Sequence, residues 1–402
     1  MTAFDTDFVR SQFPAFSEPS LEGWAFFENA GGSYPCRQVT DRLAAFYQRL
    51  KVQPYWSFPA SKTGGAWMDE SRTRLAALMG VAEDEIHFGT STSQNTYVLA
   101  QAVRQAIDGG MDRGEIVVTD QDHEANSGVW RRLAGEGFTI REWTIDPDTG
   151  HLEPAALDDL LSDRTCVVCF PHASNIVAEI NPVAEICAKI RAAGAISVVD
   201  GVSYAPHGIP DVAALGADVY MFSAYKTHGP HQGVMTVRRA AADRLEPQCH
   251  GFNRGNRKAW FTPAGPDHAQ IAALAGMVDY AEELSARHGG ASAHDLMRGQ
   301  EIALMQPLMD WLAGRNDIRL LGPSDPFRRA PTVSLVHQRS GEDLAEALVA
   351  HKIMAGGGCF YSDRCVAAQG VATDHGVLRL SFLHYTSEAE IRQVIAALDQ
   401  VL

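Results

Sequence analysis

Basic residues are scarce in this chain. Lysine and arginine number 34 against 49 aspartates and glutamates, a formal charge of -15 over 402 residues. A uniformly acidic chain repels phosphate backbones and anionic lipid, which argues against nucleic acid or a membrane surface as partner. No apolar run approaches the ~20 residues of a membrane span. The start, Met1 to Asp7, has neither a basic segment nor the apolar core of a secretory leader, so a cytoplasmic protein is expected. Cysteines number seven, odd and scattered, which does not describe a disulfide framework. Cys166 and Cys169 have CxxC spacing, but no second pair accompanies them. Residues three apart on a strand face opposite sides, so no metal site is expected and both read as buried thiols. Internal repeats, charge blocks and low-complexity tracts are also missing.

What remains is an ordinary globular composition, 46% hydrophobic and 21% charged, long enough for two domains with real cores. The chain centres on Ala195 to Met235. The apolar run Ala195 to Val199 reads as a strand ending in Asp200. A second, Asp218 to Phe222, leads into Ser223-Ala224-Tyr225-Lys226. Between Asn181 and Gly194 a helix with the stripe Val183, Ile186, Cys187, Ile190 precedes the first of these strands. With the strand Thr165 to Phe170 this makes a strand–helix–strand unit, hence a parallel sheet with a right-handed crossover. In such sheets ligands bind beyond the carboxyl ends of the strands. An acid at one strand end and a lysine past another suit pyridoxal phosphate (PLP). It takes a carboxylate on its ring nitrogen and a lysine on its aldehyde.

Other chemistry-bearing residues share that placement. Gly89-Thr90-Ser91-Thr92 follows the strand Ile86 to Phe88 and opens a helix running through Tyr97, Val98, Val103 and Ile107. Free N–H groups and hydroxyls there make an anion site, or only an N-cap. His123 and Asn175 each follow a strand. A strand-end histidine can stack on a cofactor, move protons, or be an ordinary loop residue. Phe26 to Ser33 reads as a strand entering a glycine-rich turn. Residues 51–67, with Tyr55, Trp56, Phe58 and Trp67, read as an irregular aromatic loop, either functional or a dimer contact. Residues near 268–314 read as helical, and Ser387 to Glu390 as a capping box.

Together Glu28-Asn29-Ala30, Gly89 to Thr92, His123 to Asn126, Ser174-Asn175, Val199 to Gly201, Ser223 to Lys226 and Leu378 to Ser381 resemble the class V aminotransferase family of fold-type I PLP enzymes. Within that family they resemble the cysteine desulfurase-like branch. The resemblance implies an α/β fold with a large domain built on a mainly parallel, seven-stranded-type sheet and a smaller α+β C-terminal domain. The expected division is an N-terminal arm (1–20) packing with the small domain, a cofactor-binding domain (21–265) and a small domain with its connecting helices (266–402). Lys226 resembles the lysine that takes the cofactor's aldehyde, and Asp200 the partner of its ring nitrogen. His123 resembles the histidine stacked on the ring. Ser91, Thr92 and Ser223 resemble the phosphate cradle, and Asn175 the residue at the phenolic oxygen. Arg379 resembles the fork on the substrate α-carboxylate, with a domain-interface ion pair as the alternative. Asn29, Ala30 and Gly31 resemble the loop on the substrate side.

There are departures. Tyr225 stands where relatives often carry histidine, and Ser203 where desulfurases carry glutamine. Thr262-Pro263-Ala264-Gly265 replaces a segment that reaches the partner subunit's phosphate, a role Thr227 could fill. Desulfurases also carry a cysteine ahead of the arginine. Cys359, after three glycines, and Cys365 are candidates here, with a packed, incidental cysteine as the alternative. The resemblance implies a homodimer acting on a small, cysteine-like amino acid by bond cleavage at the β-carbon, with a sulfur acceptor if it is a desulfurase. Transamination or epimerisation on the same scaffold is the alternative, and a non-catalytic regulatory module is the alternative of another class.

Overall fold

A computed structural model describes residues 4–108 and 114–402. Of the N-terminal arm, Met1 to Ala3 lie outside the described residues, as does the side chain of Ile107. Thirteen strands occur among the described residues. They are β1 (Ala25–Phe26), β2 (Ile86–Gly89), β3 (Glu115–Thr119), β4 (Thr139–Trp143), β5 (Thr165–Pro171), β6 (Ile196–Asp200) and β7 (Val219–Ser223). β8 (Gly233–Val237), β9 (Arg319–Leu320), β10 (Thr332–Val336), β11 (Ile353–Met354), β12 (Gly356–Gly358) and β13 (Val377–Ser381) follow.

The central sheet has seven strands in the order β2-β8-β7-β6-β5-β3-β4. All pairings are parallel except those of β8, which runs against both neighbours. Every residue of β5 to β8 is buried, as expected of strands covered on both faces. Val167 and Cys169 pack with Leu99, Val103 and Trp130 on one face. Val168 and Phe170 pack with Ile186, Ile190 and Phe222 on the other. β7 reverses into β8 through residues 224–232, and that reversal carries Lys226 at the carboxyl edge.

The small domain is an antiparallel sheet, β12-β13-β10-β9, packed with helices Ala293–Ala313, Gly341–Val349 and Glu388–Val401. Ala25 and Phe27 sit in this core, since β1 pairs with β11. The arm packs across the C-terminal region. Phe13 meets the Tyr385 and Tyr280 rings edge-on, Arg10 pairs with Glu390 at 2.7 Å, and Asp5 with Arg287 at 2.6 Å. No helix among the described residues is long and apolar enough to cross a membrane.

Two expectations need correction. Residues 51–67 are not one irregular loop, because a helix spans Pro59–Leu78 and carries Trp67. Proline starts it at the first position. Gly64 and Gly65 are buried contact points that bring it against Phe46, Leu50 and Tyr55; a Cβ on Gly65 would lie 2.7 Å from the Tyr55 ring. Small residues that look like loop punctuation are here the means of close packing. Cys166 and Cys169 do not face opposite sides either. The register against β3 slips between Glu115 and Ile116, leaving Cys166 as the extra residue of a bulge. Both thiols are buried on one face of the sheet, and the Cys166 thiol reaches the Glu115 carbonyl at 3.1 Å.

Candidate active site

Five strands deliver their carboxyl ends to one cavity of about 540 Å³. β2 leads to the start of helix Thr92–Asp108. β3 leads to Asp122 and His123, β5 to Asn175, β6 ends at Asp200 and β7 at Ser223. Register explains why they meet. Pro171 lies opposite Asp200 and Asp200 opposite Met221, while Ser223 and Gly89 both oppose Gly233. The small domain supplies Phe360, Tyr361 and Arg379, and the loop after β1 supplies Glu28, Ala30 and Gly31.

The floor holds an acid and a base. Asp200 is 5% exposed and accepts the Val202 N–H on Oδ1 at 2.8 Å. Burial lifts its carboxyl from 3.8 to about 6, against the pull of that N–H and of Lys226. Lys226 sits at the opposite sign of the same effect. Burial, then the Arg379 charge, lowers its ammonium from 10.5 to about 8, while Asp200 and Glu28 oppose the fall. An amine near 8 holds a substantial neutral fraction at physiological pH, which a nucleophile and general base requires.

His123 caps helix Glu124–Arg132, and its Nδ1 accepts the Ala125 N–H at 3.0 Å. Burial, Lys226 and Arg379 lower its pKa to about 4, so the ring is neutral. At the other end Thr92 and Ser223 join hydroxyls at 2.8 Å beside the first residues of helix Thr92–Asp108. Ser93 also lines the cavity.

Arg379 is 3% exposed on β13. Its guanidinium lies 3.6 Å over the Phe360 ring, its Nη2 pairs with the Glu28 carboxylate, and its Nη1 reaches the Asn175 carbonyl at 3.4 Å. Phe360 and Tyr361 both adopt left-handed backbone angles, φ 52° and 59°; the Phe360 ring packs on Arg379, while Tyr361 stays 77% exposed at the cavity's rim. The Tyr361 ring lies 5.4 Å from the His123 ring, and its carbonyl accepts the Glu124 N–H at 2.7 Å.

Most residues expected from sequence converge. Thr92, His123, Asp200, Ser203, Ser223, Tyr225, Lys226, Arg379, Ala30 and Gly31 all line the cavity. Asn175 lines it too, but its amide is engaged elsewhere: Nδ2 donates to the Phe360 carbonyl at 3.0 Å and Oδ1 accepts from the Ser362 hydroxyl at 2.8 Å. Five residues are not brought together with these. Ser91 is absent from the lining and accepts the Gln94 N–H at 3.1 Å, as a helix cap does. Asn29 is 2% exposed and ties the loop to the small domain through the Phe26 and Ser381 carbonyls and the Tyr385 hydroxyl. Cys359 does not line the cavity; its thiol donates to the Thr373 carbonyl at 3.1 Å, and burial, with Asp363 nearby, raises it to about 11. Cys365 is fully buried and raised to about 12. Thr227 bonds back to the Ser223 carbonyl at 3.2 Å and lines a different cavity.

Sequence reasoning assigned no role to Glu28, Ser93 or Asp122, although all three line the site. Asp122 is 3% exposed and its carboxyl is raised well above the ordinary range by burial and by Asp200. Its position directly before His123 was the available signal.

A family model for class-V aminotransferases matches residues 25–394. The chain belongs to the class V aminotransferase family. An aminotransferase-like protein, FGM3 of Gibberella zeae, is 32% identical over 100% of this chain and 99% of its own length. The cysteine desulfurase-like protein ustD of Aspergillus flavus is 27% identical over 99% of this chain and 91% of its own. The apo structure of a cysteine desulfurase from Thermococcus onnurineus NA1 matches with a TM-score of 0.86 at 23% identity, covering 98% of this chain and 97% of that one, which shows a shared fold. Among these similar proteins, the Aspergillus flavus relative and the Thermococcus structure carry cysteine desulfurase names, a likeness that supports the cysteine desulfurase-like branch. The chain is a fold-type I, PLP-dependent enzyme.

The residues present fit that cofactor. A paired hydroxyl cradle at a helix start suits its phosphate. A buried carboxyl with one neutral donor suits a cationic ring nitrogen. The neutral His123 ring offers a face, and Lys226 offers an amine suited to the aldehyde. When bound, the cofactor supplies an electron sink for a carbanion at the substrate's Cα.

Proposed function

We propose that this enzyme cleaves a bond at the β-carbon of a small, cysteine-like amino acid and releases the leaving group from the cavity rather than to a thiol of its own chain. Arg379 holds the substrate α-carboxylate and so fixes which Cα bond faces Lys226. Lys226 takes the Cα proton as general base. Asp200, buried and without a salt-bridge partner among the described residues, holds a positive charge where electron density arrives. With cysteine as substrate the net reaction consumes one water and gives pyruvate, ammonia and hydrogen sulfide.

The observation that carries this reading is the lining itself. Lys226, Asp200 and Arg379 share one cavity, and none of the seven cysteines lines it. A protein-bound persulfide needs a thiolate at the site, and both nearby thiols are raised above their ordinary value. The test is Cys359→Ala with cysteine as probe. Sulfide release should stay within about twofold of the parent. A loss of ten-fold or more would restore Cys359 as sulfur acceptor. A 2-oxo acid formed without sulfide would instead mark transamination.

The working unit is a homodimer in this reading. Tyr55, Trp56, Phe58, Tyr97 and Phe252 are each at least 46% exposed, aromatic surface that a second copy would cover in this reading. A cytoplasmic location suits a chain whose seven cysteines are all thiols.

A further inference from the structure

The carboxylate fork is already in use. Arg379 meets the Glu28 carboxylate through Nη2. A guanidinium can present two donors along either of two edges, Nη1 with Nη2 or Nε with Nη2. Nη2 belongs to both. Its remaining donors are poorly engaged: Nη1 makes one long contact of 3.4 Å to a carbonyl, and Nε is buried with no hydrogen-bond partner. Nη2 carries one hydrogen on each edge, so Glu28 takes up one edge outright and lays its negative charge beside the other, where it competes with a substrate carboxylate for the same cation.

The geometry also shows which part can move. The Glu28 backbone is fixed by its bridge to Ser381, and the Asn29 N–H donates to the Ser381 carbonyl at 3.3 Å. The Glu28 side chain remains 28% exposed on the cavity. Gly31 leaves the room in which its second oxygen rests; a Cβ there would lie within 1.9 Å of Oε2.

We propose that Glu28 is a built-in competitor for the carboxylate subsite, which an incoming monocarboxylate must displace from Arg379. It is a specificity-determining residue: it keeps the guanidinium neutralised and oriented between turnovers and sets a threshold that weak carboxylate ligands do not cross. The proposal rests on Arg379 being the substrate's carboxylate clamp.

Apparent affinity falls by the fraction of sites in which the fork is free. An isosteric Glu28→Gln keeps one acceptor on Nη2 and removes the competing charge. The test measures acetate, a carboxylate without an amine, binding to the cofactor-loaded protein by calorimetry and by the acetate-dependent rise in melting temperature. Glu28→Gln should bind acetate roughly tenfold tighter, the scale of one charge-assisted hydrogen bond. Gly31→Ala, which keeps the charge but pushes the carboxylate aside, should also tighten binding. Arg379→Lys is the control for the clamp. Acetate affinity lost in Arg379→Lys but unchanged or weakened in both other variants would overturn the competitor. Affinity unchanged in Arg379→Lys would overturn the clamp itself, and the competitor with it.

Discussion

Replacing Asp200 with asparagine should stabilise the cofactor-free protein while weakening its hold on the cofactor. The fold lifts this carboxyl from 3.8 to about 6, chiefly by burial. At about 1.4 kcal/mol per pH unit, that rise costs about 3 kcal/mol. The sign follows from the direction. Because the folded value lies above the unfolded one, the contribution of the neutral acid is whole below pH 3.8 and is lost as pH rises through about 6. Above that, the wild-type protein carries a buried anion that asparagine does not. Asparagine also withdraws a charge that supports the Lys226 ammonium, which offsets part of the gain until Lys226 itself is neutral near 8. The net gain expected for cofactor-free Asp200→Asn at pH 7 is about 1–3 kcal/mol. Urea unfolding of both proteins without cofactor, from about pH 4.5 to 7.5, reads it directly. The burial part of the difference should already be about 1 kcal/mol at pH 4.5, widen as pH rises to about 6 and then level off. In PLP-saturated protein the order should invert, because a ring cation then compensates the anion that asparagine lacks. A difference that does not vary with pH, or a variant that is less stable without cofactor, would refute the burial argument.

Reaction of the cofactor-free protein with free PLP needs the neutral Lys226 amine. Its rate, followed by visible absorption, should rise with pH and level off above about 8; continued rise toward 10.5 would mean that burial does not tune this lysine. Thr92→Ala or Ser223→Ala removes one of two hydroxyls joined at 2.8 Å. A hydrogen bond to a charged group is worth about 1.5–3 kcal/mol, so the dissociation constant of PLP should rise about 10- to 100-fold in an equilibrium titration. An unchanged constant would put the phosphate elsewhere.

What could be read from sequence was whatever depends on strand ends. Asp200, Ser223, Lys226, His123 and Thr92 are recognisable because an apolar run stops and a polar residue follows, and parallel pairing then brings those ends to one edge. Direction of side chains was not readable. Ser91 and Thr92 are neighbours in one turn, yet Thr92 lines the site and Ser91 caps the helix. Asn29 and Ala30 divide the same way. Cys359 is turned out by the two left-handed residues that follow it, a backbone state that phenylalanine and tyrosine do not advertise. The helix Pro59–Leu78 was hidden because Gly64 and Gly65 are chosen for contact with Phe46 and Tyr55 rather than for local propensity. Glu28 needed the small domain in place before its role was visible, since Arg379 lies 351 residues away in the chain.

The central claim is β-bond cleavage without a chain thiol, and product analysis tests it most directly. The cofactor-loaded wild-type enzyme is given cysteine, and pyruvate, alanine and sulfide are measured together over a time course. Pyruvate and sulfide in equal amounts, with no alanine, is the expected result. Alanine matched by sulfur bound to the protein would contradict it.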